Sequence, residues 1–413
     1  MVGGHPSLSE MIQAALDRPA DTPAIRFHGR WYDWGWMRRT ADRINQLLDD
    51  AGVGPGDAVA IAPANRPACA AALLGFLARS RDIVMIYAYQ SPEAIARKIR
   101  DLNCAAVLAQ AETWAEPARQ AAIDIGAAGI SLAEDAQEVV PGTRVDRSVE
   151  HRRAETETGV HLLTSGTTGP PKLRHLKYPF IQRSMVLESP MHRYGTPAPS
   201  TPVMHNSAFG NIAGLYSWLP SVVSGRPVIM TEKFNLQEWL EYVREYRPVS
   251  AGMPPAAFRQ MMDEGIPTEA LAGIKYMSAG ASALDADLQE AVEKKYGVKI
   301  LQAYGATEFG GVVASVEPED IEKYGAEKTM SVGKPWAGSE LRIVDPETGE
   351  TLPPGKSGEL HVRVPRLGPD WVRTSDLATA AGLITKTASR ALDASAILYP
   401  RGRLSGRSGA LSD

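Results

Sequence analysis

Between Leu162 and Leu173 the chain reads LLTSGTTGPPKL, a run of small, hydroxyl-bearing and flexible residues that closes on a lysine. Glycine accepts the backbone dihedrals that let successive N–H groups turn inward on an anion. Serine and threonine hydroxyls add donors, and Lys172 adds a compact positive charge suited to phosphate. The chemistry this could do is capture of a phosphorylated ligand; as bare composition the stretch reads equally as a surface linker. It is not the device of P-loop nucleotidases: only two residues lie between Gly166 and Gly169, and Leu173 follows Lys172 where that motif needs Ser or Thr.

Further segments with the residue types of a nucleotide site follow in order. SAGASAL occupies Ser278–Leu284, YGATE occupies Tyr304–Glu308, and RTSDLA occupies Arg373–Ala378. With TSGTTGPPK they resemble the ordered motifs of the adenylate-forming (AMP-binding) superfamily, of the acyl-CoA synthetase, fatty-acid or aryl-acid CoA ligase type. SVGKPWAGSELRIVD and GKSGELHVR resemble that family's connecting strands. The likeness runs from about residue 20 to about residue 385.

The resemblance implies roles for individual residues. Thr164, Ser165, Gly166, Thr167, Thr168, Gly169 and Lys172 would wrap the β- and γ-phosphates of ATP. Tyr304 would offer its ring to adenine while Gly305 lets the backbone approach. Gly280, Ala281 and Ser282 would touch adenine and the acyl group, and Asp376 and Arg390 would accept and contact the ribose. Thr307, Glu308 and Lys172 are the implied catalytic residues. Thr307 would hydrogen-bond the α-phosphate, and Glu308 would ligate Mg2+, a hard cation that takes carboxylate oxygen. His205, Phe209, Gly210, Met253, Gly280 and Ala281 are candidates for the acid pocket, with His205 as its gate. The other reading of His205 is a loop histidine satisfied by its neighbours. Two departures stand out: Ser375 and Ser389 occupy positions where the family carries glycine.

The implied reaction is attack of a carboxylate on the α-phosphorus of ATP, giving acyl-adenylate and pyrophosphate, then transfer to coenzyme A. One alternative is an acyl-AMP ligase that loads a carrier protein. The other is a catalytically weak nucleotide- or acyl-binding protein. The resemblance also implies a C-terminal cap domain that supplies a lysine to the reacting carboxylate. After Asp376 only Leu377–Asp413 follow, rich in Gly, Ser and Arg toward the end. A hinge remnant and a loose tail are therefore expected over 376–413, with the cap absent and activity reduced.

Elements must place these residues. DAVAIAPAN, DIVMIYAY and CAAVLAQ read as strands, with PACAAALLGFLARS and SPEAIARKIRDLN as helices between them, the second capped by Ser91. Such alternation implies a largely parallel sheet. AIRFHGRWYDWGWM reads as a hairpin about His28–Arg30, followed by a helix from Arg38. The polar stretch Glu134–Thr158 reads as a linker. Past the glycine-rich loop the alternation resumes, and beyond about Ser331 the pattern becomes that of antiparallel strands. The expected fold is α/β: two mainly parallel sheets flanked by helices in layers, plus a small antiparallel, barrel-like subdomain. The expected subdomains are about 1–150, 159–330 and 331–375 of a 1–375 AMP-binding domain.

A net charge of −4 across 413 residues gives no basic stripe for nucleic acid, and 44% hydrophobic with 22% charged residues is ordinary for a globular chain. Cys69 and Cys104 are too few for a disulfide framework. No secretory leader or transmembrane run is apparent, so a cytoplasmic protein is expected, with a homodimer suggested by the family alone.

Overall fold

The computed structural model describes residues 4–164, 172–189, 195–280, 282, 284–324, 331–336, 338–381 and 397–403, with backbone alone at 375, 381 and 397–403. Ser165, Gly166, Thr167, Thr168, Gly169, Ala281 and Arg390 lie outside the described residues. The chain divides into two compact units, Met1–Tyr242 and Val243–Asp413.

The first unit holds two sheets. In the seven-stranded sheet, Val59–Ala62, Ile83–Met85, Ala106–Gln110, Ala128–Leu132 and Gly159–Leu163 are parallel neighbours. Their residues are almost all buried, as a parallel sheet covered on both faces requires. Antiparallel strands close both edges, Gln137–Val139 at one side and Leu173–Lys177 at the other. The helix Pro67–Ala78 is apolar all round and buried along nearly its whole length. A Cβ on Gly75 would stand 3.1 Å from that of Ala41, so glycine lets this helix pack closely against Trp34–Asp50. The second sheet orders Val203–His205, Val228–Met230 and Pro23–Phe27 in parallel, with Arg30–Asp33 antiparallel at the edge.

In the second unit, Ser250–Gly252, Tyr276–Ala279 and Lys299–Ala306 run parallel, and Gly311–Ser315 and Lys334–Pro335 continue the sheet antiparallel. A separate antiparallel sheet joins Glu340–Val344, Ser357–Arg363, Val372–Ala381 and Ile397–Arg403.

Three local expectations need correcting. The aromatic run after the 23–33 hairpin is already helical: Asp33 accepts the Trp36 amide at 2.7 Å and caps a helix that starts at Trp34. The tail is not wholly loose, since Ile397–Arg403 pairs with Val372–Ala381. The polar linker is pinned as well as edge-paired. Asp57, 1% exposed, accepts from the Gly54 amide at 2.9 Å and from Arg147 and Arg153 of that segment. Replacing Asp57 with Ala is expected to cost about 1–3 kcal/mol in denaturant unfolding. The same change should open the 144–153 segment to limited proteolysis.

Candidate functional site

The glycine-rich run is the connection of a hairpin, Gly159–Leu163 paired in register with Leu173–Lys177. At its neck the Thr164 amide donates to the Lys172 carbonyl at 2.9 Å, and the Lys172 amide donates to Thr164 Oγ1 at 3.0 Å. The neck therefore fixes where the loop begins and ends. Lys172 is exposed there, and its ammonium has no hydrogen-bond or ion-pair partner among the described residues.

His205 ends the strand Val203–His205 and is 2% exposed. It stacks on Phe209 with ring centroids 4.8 Å apart, and Phe209 meets Trp218 edge-on at 4.8 Å. Ser217 Oγ lies 3.2 Å from His205 Nδ1, whereas His205 Nε2 is buried and has no hydrogen-bond partner. Burial pushes its pKa down to about 3, despite a backbone hydrogen bond with Ser207. A neutral imidazole held this firmly serves as a wall with one polar point, not as a proton carrier near pH 7.

Asn65 holds the segment that follows. It accepts the Phe209 amide at 3.1 Å and donates to the carbonyls of Ser207 at 3.0 Å and Thr231 at 3.3 Å. A Cβ at Gly210 would sit 3.1 Å from the Tyr87 Cα, so this loop lies directly on the end of a sheet strand. Asn65 gives little sign of this role in the sequence because the three groups its side chain binds lie 142 to 166 residues away. The only local signal was a polar residue at the carboxyl end of a buried strand.

In the second unit, Met253, Gly280 and Tyr304 lie at or just past the carboxyl ends of the three parallel strands, where open α/β sheets bind ligands. Met253 is buried, and its amide donates to the Ser278 carbonyl at 3.3 Å. Gly280 lies beside Ala303, Ser282 is exposed, and Tyr304 is half-buried. Tyr304 donates its hydroxyl to Asp376 Oδ2 at 2.6 Å, which joins two motifs 72 residues apart. Burial, then the Asp376 carboxylate, pushes the Tyr304 phenol well above its ordinary range.

The strand Lys299–Ala306 then turns back through Thr307–Phe309 into Gly311–Ser315. Gly310 takes a φ of 75° at the turn. Gly305 passes so close to its partner that a Cβ would fall 2.4 Å from the Gly311 carbonyl oxygen. Thr307 is buried, and Phe309 stacks near the Tyr304 ring at 5.9 Å. Glu308 is partly exposed, and its charge reaches the Tyr304 hydroxyl. Among the described residues its carboxylate has no hydrogen-bond or ion-pair partner. An unengaged carboxylate oxygen beside a nucleotide-type site fits a hard divalent cation.

The second unit thus carries a strand-end site of aromatic ring, two carboxylates and a tight glycine turn, and the first unit carries a glycine-rich hairpin ending in a lysine. A model of the AMP-binding enzyme family matches residues 12–369, and the chain belongs to that family.

Among its relatives is a 4-coumarate–CoA ligase-like protein of Arabidopsis thaliana, 30% identical over 223 residues, which are 51% of this chain and 37% of that one. The 4-coumarate–CoA ligase of Vanilla planifolia is 25% identical over 78% of this chain and 60% of its own length. The peroxisomal OPC-8:0-CoA ligase 1 of Arabidopsis thaliana is 24% identical over 82% and 66%. The chain therefore spans roughly a third to two thirds of these curated relatives.

ATP-bound MatB of Rhodopseudomonas palustris superposes with a TM-score of 0.74 at 20% identity, over 96% of this chain and 78% of that one. MenE of Bacillus subtilis with ATP and magnesium gives 0.73 at 18%, over 95% and 79%. These likenesses show the shared fold, that of the large N-terminal domain of adenylate-forming enzymes.

Two outcomes follow from the geometry. Gly305→Ala is expected to destabilise the second unit by about 1–3 kcal/mol, read as a lowered midpoint in calorimetry. Because folding lowers the His205 pKa, its contribution to stability is complete above pH 6.5 and is lost as pH falls toward 3. A His205→Met variant should lack that part of the acid-side decline in the unfolding midpoint.

Proposed function

We propose that the chain binds ATP and activates a carboxylic acid as its acyl-adenylate, releasing pyrophosphate, for transfer to coenzyme A. The observation that carries this reading is the Tyr304–Asp376 hydrogen bond beside the Thr307–Glu308 turn, in a chain of the AMP-binding family. The names of the relatives favour an acid of the 4-coumarate kind, with fatty acids as the other class.

In this reading the Tyr304 ring stacks on adenine and Asp376 accepts from the ribose hydroxyls. Gly280 leaves room for the backbone to approach the adenosine. The hydroxyl- and amide-rich hairpin loop takes the β- and γ-phosphates, with Lys172 supplying charge at its end. Thr307 donates to an α-phosphate oxygen. Glu308 would hold Mg2+, which when bound neutralises charge on the phosphates. His205 and Phe209 of the first unit and Met253 of the second are the acid-binding candidates, each offering a mainly apolar surface. Most of the acceleration comes from positioning and from charge placed ahead of the reaction.

Acid-dependent exchange of pyrophosphate into ATP, run over a panel of hydroxycinnamic and medium-chain acids, tests the proposal. Glu308→Gln should lower exchange by about 10²-fold or more while leaving the fold intact. A double-mutant cycle of Lys172→Ala with Glu308→Gln should show coupling of about 0.5–3 kcal/mol if both serve one nucleotide. Strict additivity, or no exchange with any acid, would overturn the reading.

A further inference from the structure

Three residues outside these motifs meet at the root of the hairpin. Asp82, fully buried, precedes the strand Ile83–Met85. Its Oδ1 accepts the Gly159 amide at 3.0 Å, and its Oδ2 accepts from His161 Nε2 at 2.9 Å. His175 stands directly across the hairpin from His161. The two imidazoles are stacked, with centroids 4.2 Å apart and planes 6° from parallel. His175 Nε2 is buried with no hydrogen-bond partner, and its nearest carboxylate oxygen is Asp82 Oδ1 at 4.0 Å.

The donor set resembles a metal site, with the three ligand atoms within 4.8 Å of one another. The ring planes argue otherwise. An ion about 2.0–2.1 Å from each nitrogen must lie near both ring planes, and parallel stacked rings share no such point. The Asp82 carboxylate is also already committed to two donors.

We propose that Asp82, His161 and His175 are positioning residues for the phosphate hairpin, and that protonation of His175 loosens its root and weakens nucleotide binding. The positions support this: His161 and His175 each stand three residues from the neck, at Thr164 and Lys172 respectively. The role rests on the ATP-binding reading above.

The mechanism is competition for one oxygen. Neutral His175 needs no acceptor for its bare Nε2. Once protonated, that nitrogen carries a proton with Asp82 Oδ1 as the nearest anionic acceptor, and Oδ1 already holds the Gly159 amide. Pulling Oδ1 away leaves a buried amide unpaired at the first residue of the hairpin. Gly159 is also packed tightly against the opposite strand, since a Cβ there would lie 2.4 Å from the Leu176 carbonyl and 2.6 Å from His175 Nε2.

The charges around the pair come from every neighbouring element. His161 faces His175 from the opposite strand, Lys177 from its own strand and Glu155 from the preceding segment. Glu157, paired with Lys177, also senses His175. Asp82 in turn acts on Tyr178, whose hydroxyl donates to the Arg81 carbonyl, and on Cys104. Arg81 is held by Asp49. Burial, then His161, lowers the His175 pKa below 6.5, with Asp82 opposing. Burial raises the Asp82 pKa, but His161, the Gly159 amide and His175 more than offset it. The sign follows: the stability contributed by neutral His175 is complete above pH 6.5 and declines as pH falls below it.

The test compares wild type with His175→Phe, which keeps the stack, and His175→Gln, which keeps a neutral polar group in case the first fails to fold. Hydrogen exchange of the Gly159 and Lys172 amides is followed from pH 7.5 to 5.5, corrected for intrinsic rates. MgATP affinity is measured over the same range. ATP's own terminal phosphate titrates near pH 6, so the quantity read is the ratio of affinities at pH 7.5 and 5.5 within each protein.

Expected are a loss of protection at both amides in wild type alone, and an affinity ratio about tenfold larger in wild type than in either variant. Superimposable ratios in a wild type that binds MgATP overturn the positioning role and leave the ATP reading standing. Failure of the wild type to bind MgATP at pH 7.5 overturns the ATP reading, and this role with it.

Discussion

A carboxylate with no access to water must be given donors, or folding forfeits several kcal/mol. Asp82 meets that demand with one backbone amide and one imidazole, both from the first strand of the glycine-rich hairpin. The interaction locks the register of Gly159–Leu163 against Ile83–Met85, because a slip of one residue would turn His161 away from the carboxylate and leave it unpaired. The neck of the hairpin, where Thr164 and Lys172 bond each other, continues that same register. The same sheet uses a neutral version of the device just past Val59–Ala62, where Asn65 ties together the loop that seats Phe209 and Gly210.

The second unit achieves placement by close approach instead of charge. Gly305 and Gly311 bring two antiparallel backbones together at a distance that admits no side chain, and Gly310 reverses the chain between them. Thr307 and Glu308 are thereby presented on a short turn next to Tyr304. The Tyr304 hydroxyl then reaches Asp376 on a strand of the other sheet in that unit. The Tyr304 ring and the carboxylates of Asp376 and Glu308 are thus gathered at one end of the sheet that carries Tyr304.

Much of this was legible in the sequence, for identifiable reasons. Buried parallel strands such as Val59–Ala62 and Ala106–Gln110 are short apolar runs bounded by helices, and the cap at Ser91 announces itself through the following proline. The motif order of the glycine-rich loop, Tyr304–Glu308 and Asp376 carried the family. The start of the Trp34 helix was hidden because an aromatic run suits a strand as well as a helix, and only the Asp33 cap decides between them. The pinning of the polar linker depends on Asp57, about ninety residues from its arginines. The Asp82–His161–His175 cluster was invisible until the register placed two histidines across from each other. Their equal spacing from the loop was the one local sign.

The seven-stranded sheet carries its antiparallel strands only at its two margins, and Leu173–Lys177 is the outermost on one side. A strand with a neighbour on one flank can be displaced by rupturing a single ladder, whereas an interior strand must surrender two. The segment that follows the glycine-rich loop is therefore attached where the sheet yields most cheaply. Insertions or conformational shifts in the loop can be absorbed there without disturbing the parallel core.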